Sequence, residues 1–243
     1  MIKKVSALAM SILIATSLFA GCNRNDIIKN NNSTTSFDGA YANFVAPDEN
    51  EEIAVIKVKD YGTIKVQLFP EYAPKGVENF KGLAKQGYYD GLTFHRIIND
   101  FCIQGGDPEG TGMGGTSIWG EDFAIEPSDK LFHFKGALAY ARPATGGNSS
   151  QFYFAMGAGG NPVDNETFNA LSAQGIEYPI EVRTKYMEVG GPFFLDGQYT
   201  VFGQVFEGLD ILDEIQKVPT DQMDMPATPV IIESVTIENY SAN

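Results

Sequence analysis

Between residues 53 and 238 the chain is cut into eight short apolar or alternating runs, at 54–58, 62–69, 92–98, 101–104, 136–140, 151–156, 199–206 and 230–238. Glycine, proline or an aspartate-bearing turn separates most of them. No other feature limits the fold as much. A period of two sends alternate side chains to opposite faces, so such runs read as half-buried strands. Only two stretches inside this frame read as helix. Residues 75–85 place Val77, Phe80 and Leu83 on one face, after Pro74 at the start and before Gly87 at the end. Residues 209–218 form the second. Many short strands, two helices and glycine turns predict a mainly β domain, folded as a closed β-barrel. There is no internal repeat.

The region before the barrel has a different character. Lys3 and Lys4 precede an apolar stretch at 5–19, too short to span a bilayer as a helix. Small residues and Cys22 follow. A charged start, an apolar run and a small-residue cleavage site describe an export signal over residues 1–21. Ala20-Gly21-Cys22 resembles the lipobox of bacterial lipoproteins, with Phe19 where leucine is commoner. That resemblance implies cleavage before Cys22 and a diacylglyceryl group on its thiol. Residues 22–50 then form a polar, Asn-rich linker that cannot bury enough surface to fold alone. The domain is expected over 51–240, lipid-anchored on the extracytoplasmic face of the cell membrane.

Composition removes some classes of function. Seventeen basic and thirty-one acidic residues give a net charge of −14, or −16 once the two leader lysines leave. Nucleic-acid partners need basic surface, so they are excluded. The chain has only two cysteines, Cys22 and Cys102. With Cys22 acylated, the exported domain has no disulfide.

The most specific signal lies in residues 93–107. Arg96 stands among Phe94, His95, Ile97 and Ile98, eight positions before Gln104. A second run extends from Asn148 through Gln151, Phe152 and Tyr153 to Phe154. Together the two runs resemble the cyclophilin family of peptidyl-prolyl cis/trans isomerases, over residues 52–238. The resemblance implies the family's eight-stranded antiparallel barrel with a helix capping each end. It also implies rotation about the amide bond before proline, in proline-containing polypeptides, by a monomer.

That reaction has a plain chemical demand. Amide resonance holds rotation behind a barrier of about 18–20 kcal/mol. No nucleophile, metal or cofactor is needed. A donor aimed at the prolyl nitrogen favours the twisted state over both planar ones, provided an apolar pocket holds the ring. Arginine stays charged and donates in a fixed fork. The resemblance puts the family's essential arginine at Arg96. It places Gln104 as the residue that aims Arg96, and Phe101, Tyr153 and Leu195 as walls of the proline pocket. It puts Ala141, the backbone of Arg142, and Gln151 along the groove.

Several positions depart from the family pattern. Tyr153 stands for a phenylalanine, Phe194 for a tryptophan, Tyr199 for a histidine and Arg142 for an asparagine. The loss of the tryptophan and histidine argues against strong cyclosporin binding. Cys102 replaces a methionine that lines the pocket. A free, partly accessible thiol is expected there, with a buried, inert cysteine as the alternative.

Other motifs fail. The glycines at 110–115 lack the Gly-Lys-Ser/Thr and the strand-to-helix setting of a phosphate loop. His95 and His133 are scattered and make a poor zinc site. Ser149 and Ser150 lack a hydrolase elbow.

Residues 157–191 form an insertion relative to compact cyclophilins, with a helix candidate at 180–188. Surface insertions cost little stability, so simple tolerance and a role in partner choice both stand. A second functional class is a proline-peptide-binding scaffold with little turnover. Retention of Arg96 argues for the enzyme: a peptidyl-prolyl isomerase assisting the folding of secreted or envelope proteins.

Overall fold

The computed structural model describes residues 35–36, 41–143 and 146–242. The expected leader (1–21) and the lipidation site Cys22 lie outside the described residues. No helix among the described residues is long and apolar enough to cross a membrane.

Strand β1 (Thr35–Ser36) pairs in parallel with β8 (Ile176–Glu177). All other strands belong to one antiparallel sheet. They are β2 (Glu52–Val58), β3 (Gly62–Leu68), β4 (Arg96–Ile98), β5 (Cys102–Gly105), β6 (Ala137–Tyr140), β7 (Phe152–Ala155), β9 (Val201–Glu207) and β10 (Ile232–Asn239). Their order is β10-β2-β3-β9-β6-β7-β5-β4.

The expected closed barrel is not what forms. The eight strands make a half-barrel whose edge strands, β10 and β4, share no ladder. One isolated bridge, Thr93 to Ile231, spans the gap. Phe94 N donates to Val230 O at 2.9 Å and Ile232 N to Leu92 O at 2.8 Å beside it. The reason lies at the edge strand β4. The run expected as a strand over 92–98 pairs only from Arg96 onward. The N–H of Ile97 goes to Asp224 O at 2.8 Å. A loop residue therefore satisfies an edge donor that a closing strand would otherwise take.

Four helices accompany the sheet among the described residues: α1 (Pro74–Lys85), α2 (Asn165–Ser172), α3 (Ile180–Val189) and α4 (Leu209–Ile215). The first and last match the two expected helices. Pro74 at the start of α1 gives up no intrahelical bond, and Val77, Phe80 and Leu83 face inward. Phe80 is the centre of the main core. Its ring stacks on Tyr89 at 5.1 Å and meets Phe152 edge-on at 5.5 Å. Ile64, Val66, Ile103, Leu138 and Phe154 close round it from the strands. Each such side chain contributes roughly 1.5–3 kcal/mol by leaving water.

The insertion is more helical than its sequence pattern predicts. Helix α3 matches the candidate at 180–188. Helix α2 forms because Asp164 caps it, accepting the Thr167 N–H at 2.8 Å. It buries Phe168 completely. Phe168, Tyr178, Val182 and Tyr186 build a second aromatic core with Phe132, Phe134 and Phe193.

Part of the expected linker is packed as well. Asn43 is 1% exposed. Its Nδ2 donates to Phe132 O at 2.9 Å and Gln204 Oε1 at 3.0 Å. The structured unit therefore includes residues 41–50, upstream of the boundary expected at 51.

Candidate active site

The site is built on the outer face of the sheet by strand alternation. Ile97, Ile103, Phe154 and Leu138 point into the main core. Their neighbours point the other way. Register aligns Arg96 with Gln104, Gln104 with Tyr153, Tyr153 with Ala139, and Ala139 with Val201. One row thus crosses five strands. Ala137, Ala139 and Ala155 keep the floor low. Leu131 and Leu195 stand over it with Phe101, Phe194 and Tyr199.

Arg96 sits at one end of the row, with its side chain 12% exposed. Its Nε lies 3.4 Å from Asp224 Oδ2. Its Nη1 donates to Cys102 Sγ at 3.9 Å. Asp224 comes from the 219–226 turn and has a left-handed φ of 63°. Such a backbone is uncommon outside glycine, though aspartate tolerates it. Asp221 braces the turn by accepting the N–H groups of Met223 and Met225. Sequence reasoning missed Asp224. It is far from Arg96 along the chain, and no local signal connects them.

Gln104 faces Arg96 in the register, but its amide is engaged elsewhere. Its Nε2 donates to Gln151 Oε1 at 2.9 Å, and Gln151 Nε2 donates to Gly114 O at 2.7 Å. This chain of amides ties the row to the glycine loop. Asp107 organises that loop by accepting from Glu109 N (2.8 Å), Thr111 N (3.0 Å), Gly112 N (2.6 Å) and Gly114 N (3.2 Å). Burial pushes the Asp107 carboxyl up, and the four N–H donors together outweigh it, so it sits below the usual carboxylate range. Burial lowers the pKa of His95, with Asp107 opposing the shift. This suits a neutral, structural histidine beside Arg96.

The apolar walls meet at the centre. Phe101 and Phe194 are stacked, with centroids 6.0 Å apart and planes 19° apart. Phe194 and Leu195 sit on a 3-10 turn at Phe193–Leu195. Tyr199 meets Tyr153 edge-on at 6.2 Å. The Arg142 guanidinium lies over the Tyr199 ring, 5.1 Å from its centroid. Arg142 Nη2 donates to Gln198 O at 3.0 Å, while Ala141 N donates to Gln151 O at 2.9 Å.

Two buried side chains stand out, and the first differs from the sequence expectation. Cys102 is 2% exposed, and burial pushes its thiol up to about 12. The partly accessible thiol is therefore replaced by its alternative, a buried and inert cysteine. Tyr153 is also buried, and its hydroxyl has no hydrogen-bond partner among the described residues. An orphaned buried hydroxyl costs about 1–3 kcal/mol.

His133 and Asp196 complete the surroundings. His133 lies parallel to Tyr153, 6.1 Å away, and its Nδ1 is 2.8 Å from Asp196 Oδ1. In the sequence His133 is one of two scattered histidines, with nothing to join it to Asp196. No cluster of three or more His, Cys, Asp or Glu side chains suited to a metal exists among the described residues.

The candidate site thus sets an arginine beside an apolar, aromatic-lined cluster on an eight-stranded half-barrel. The family model for cyclophilin type peptidyl-prolyl cis-trans isomerase/CLD matches residues 53–237. A Staphylococcus epidermidis protein, provisionally named a peptidyl-prolyl cis-trans isomerase, is 42% identical over 190 residues, covering 78% of this chain and 94% of that one. A Streptococcus pyogenes protein, provisionally named a bifunctional phosphatase/peptidyl-prolyl cis-trans isomerase, is 43% identical over 192 residues. Those residues cover 78% of this chain and 40% of that longer one. A crystal structure of a Cryptosporidium parvum cyclophilin type isomerase, in the presence of the dipeptide Ala-Pro, aligns with a TM-score of 0.59 at 29% identity. It covers 78% of this chain and 99% of that one. The chain belongs to the cyclophilin family, and its activity is that of a peptidyl-prolyl cis-trans isomerase.

Proposed function

We propose that this protein isomerises Xaa-Pro bonds in extended segments of secreted or envelope polypeptides, from a lipid anchor on Cys22. Arg96 is the residue that acts. Its guanidinium donates to the prolyl nitrogen as conjugation is lost, so it binds the twisted state more strongly than either planar state. Phe101, Tyr153 and Leu195 hold the ring, with Phe194 and Tyr199 at the rim. Ala141, the backbone of Arg142, and Gln151 take the residues before proline. Gln104 holds Gln151 and stands beside Arg96. No cofactor enters the reaction. The chain acts as a monomer.

The row from Arg96 to Val201 is the observation that carries this reading. It sets one cationic donor at one end of a row that continues through Gln104, Tyr153 and Ala139, beside the apolar cluster of Ala137, Ala139, Ala155 and Leu195. Water is displaced where the ring must sit, which strengthens a charged donor. The linker expected after Cys22 and its lipid would set the groove where exported chains emerge unfolded. Proline isomerisation is a slow folding step at that stage.

Exchange spectroscopy on a short Ala-Pro peptide, with the protein at substoichiometric concentration, tests the activity. Cis/trans exchange accelerated far beyond the tens of seconds of the free peptide supports the enzyme. Peptide binding without acceleration supports the scaffold instead.

A further inference from the structure

The insertion is anchored to the groove at two points. Tyr178 donates its hydroxyl hydrogen to Phe193 O at 2.7 Å. Tyr186, on α3, donates to Asp196 Oδ2 at 2.6 Å. Residues 193 and 196 bracket Phe194 and Leu195, two residues of the groove wall. Asp196 has a further role. Its Oδ1 accepts from His133 N at 2.8 Å and lies 2.8 Å from His133 Nδ1. Both side chains are 1% exposed. The His133 ring in turn lies parallel to Tyr153 on the groove floor.

The packing agrees with the hydrogen bonds. Phe193 belongs to the insertion's aromatic core, and Phe194 touches both that core and the groove cluster. Phe168 meets Phe193 at 5.3 Å. The chain returns to the wall through Gly191, at φ +129°, where a Cβ would run into His133 O. A loop merely tolerated on the surface does not need two buried hydroxyls aimed at the chain on either side of a binding wall.

We infer that Tyr178 and Tyr186 are positioning residues for the groove. Through Phe193 and Asp196 they fix the Phe194–Leu195 turn and the His133–Tyr153 pair, and so set which proline-flanking segments fit. The inserted segment is thus a specificity device built into the fold. This rests on the proposed use of the groove for proline-containing peptides.

The test uses Tyr178→Phe, Tyr186→Phe and the double variant in the full chain. Each removes a hydroxyl and keeps the ring. Peptide Kd and turnover are measured well below the melting temperature, with the circular-dichroism spectrum as the control for folding. The double variant is expected to weaken Ala-Pro peptide binding about tenfold, the scale of one displaced apolar contact. Its kcat stays within about twofold, because ring binding is shared by ground and transition states. Leu195→Ala gives a loss of the same kind. In that background the tyrosine substitutions add little, since all act on one wall. A lower melting temperature with unchanged Kd overturns the inference, and so does full additivity with Leu195→Ala. If the double variant does not fold, the two single variants decide by the same readout. Binding without turnover in the wild type removes the enzymatic reading and leaves this test intact. Absence of peptide binding in the wild type removes both.

Discussion

At the scale of single residues, the site depends on how one arginine is held. Arg96 meets an acid from a turn more than a hundred positions later. A partly exposed pair contributes little, but Asp224 also fixes direction. Asp224→Asn keeps the left-handed backbone, which asparagine tolerates, and removes the charge. It is expected to lower kcat/KM roughly two- to fivefold, the span of a partly exposed pair worth up to about 1 kcal/mol. Steady-state kinetics with a melting curve alongside checks this. Cys102 gives a second prediction. With its thiol pushed up to about 12 and buried, it reacts slowly with bulky thiol reagents at neutral pH. Labelling followed by mass spectrometry should find it unmodified in the native protein and modified on unfolding.

At the scale of elements, the glycine loop and α1 show two ways of holding a groove in place. The loop depends on Asp107, whose carboxyl is held below its ordinary value by backbone N–H donors that outweigh burial. A carboxyl depressed in the folded state contributes stability above its unfolded pKa and loses it as pH falls through the folded value. The loop should therefore stay ordered at neutral pH and loosen only below about pH 3.8, the unfolded reference. Amide exchange of Gly112 and Gly114 against pH reads this directly. Helix α1 works through its core face. Phe80→Ala should destabilise the protein by about 3–5 kcal/mol, the usual cost for a fully buried phenylalanine. Thermal or urea unfolding measures it.

The elements also show what the sequence could reveal. Alternation identified the sheet strands, and the motif around Arg96 pointed to the candidate site, because both are local patterns. Closure of the barrel was not legible. It turns on Ile97 giving its N–H to Asp224 rather than to a strand, a contact between distant segments. Helix α2 had a local signal in the Asp164 cap, but its short run gives no clear period until Phe168 meets the aromatic core. Asp196 and His133 carry no motif at all. Their pairing joins segments 63 positions apart, and Tyr186 of the insertion shares the same carboxylate.

At the scale of the whole molecule, the proposed lipid anchor at Cys22 would set a half-barrel isomerase where exported chains fold, and this is open to a direct test. Cys22→Ala should move the protein from the membrane fraction to the soluble fraction. Membrane retention of that variant would contradict lipidation at Cys22. The central claim is that one guanidinium at the end of the Arg96–Gln104–Tyr153 row lowers the barrier to prolyl rotation. The most direct measurement compares Ala-Pro isomerisation by the wild type and by Arg96→Ala, with folding confirmed by circular dichroism. The account predicts a fall in kcat/KM of about 10²–10³-fold, the usual loss for one preorganised transition-state donor. A folded Arg96→Ala protein with wild-type turnover would contradict it.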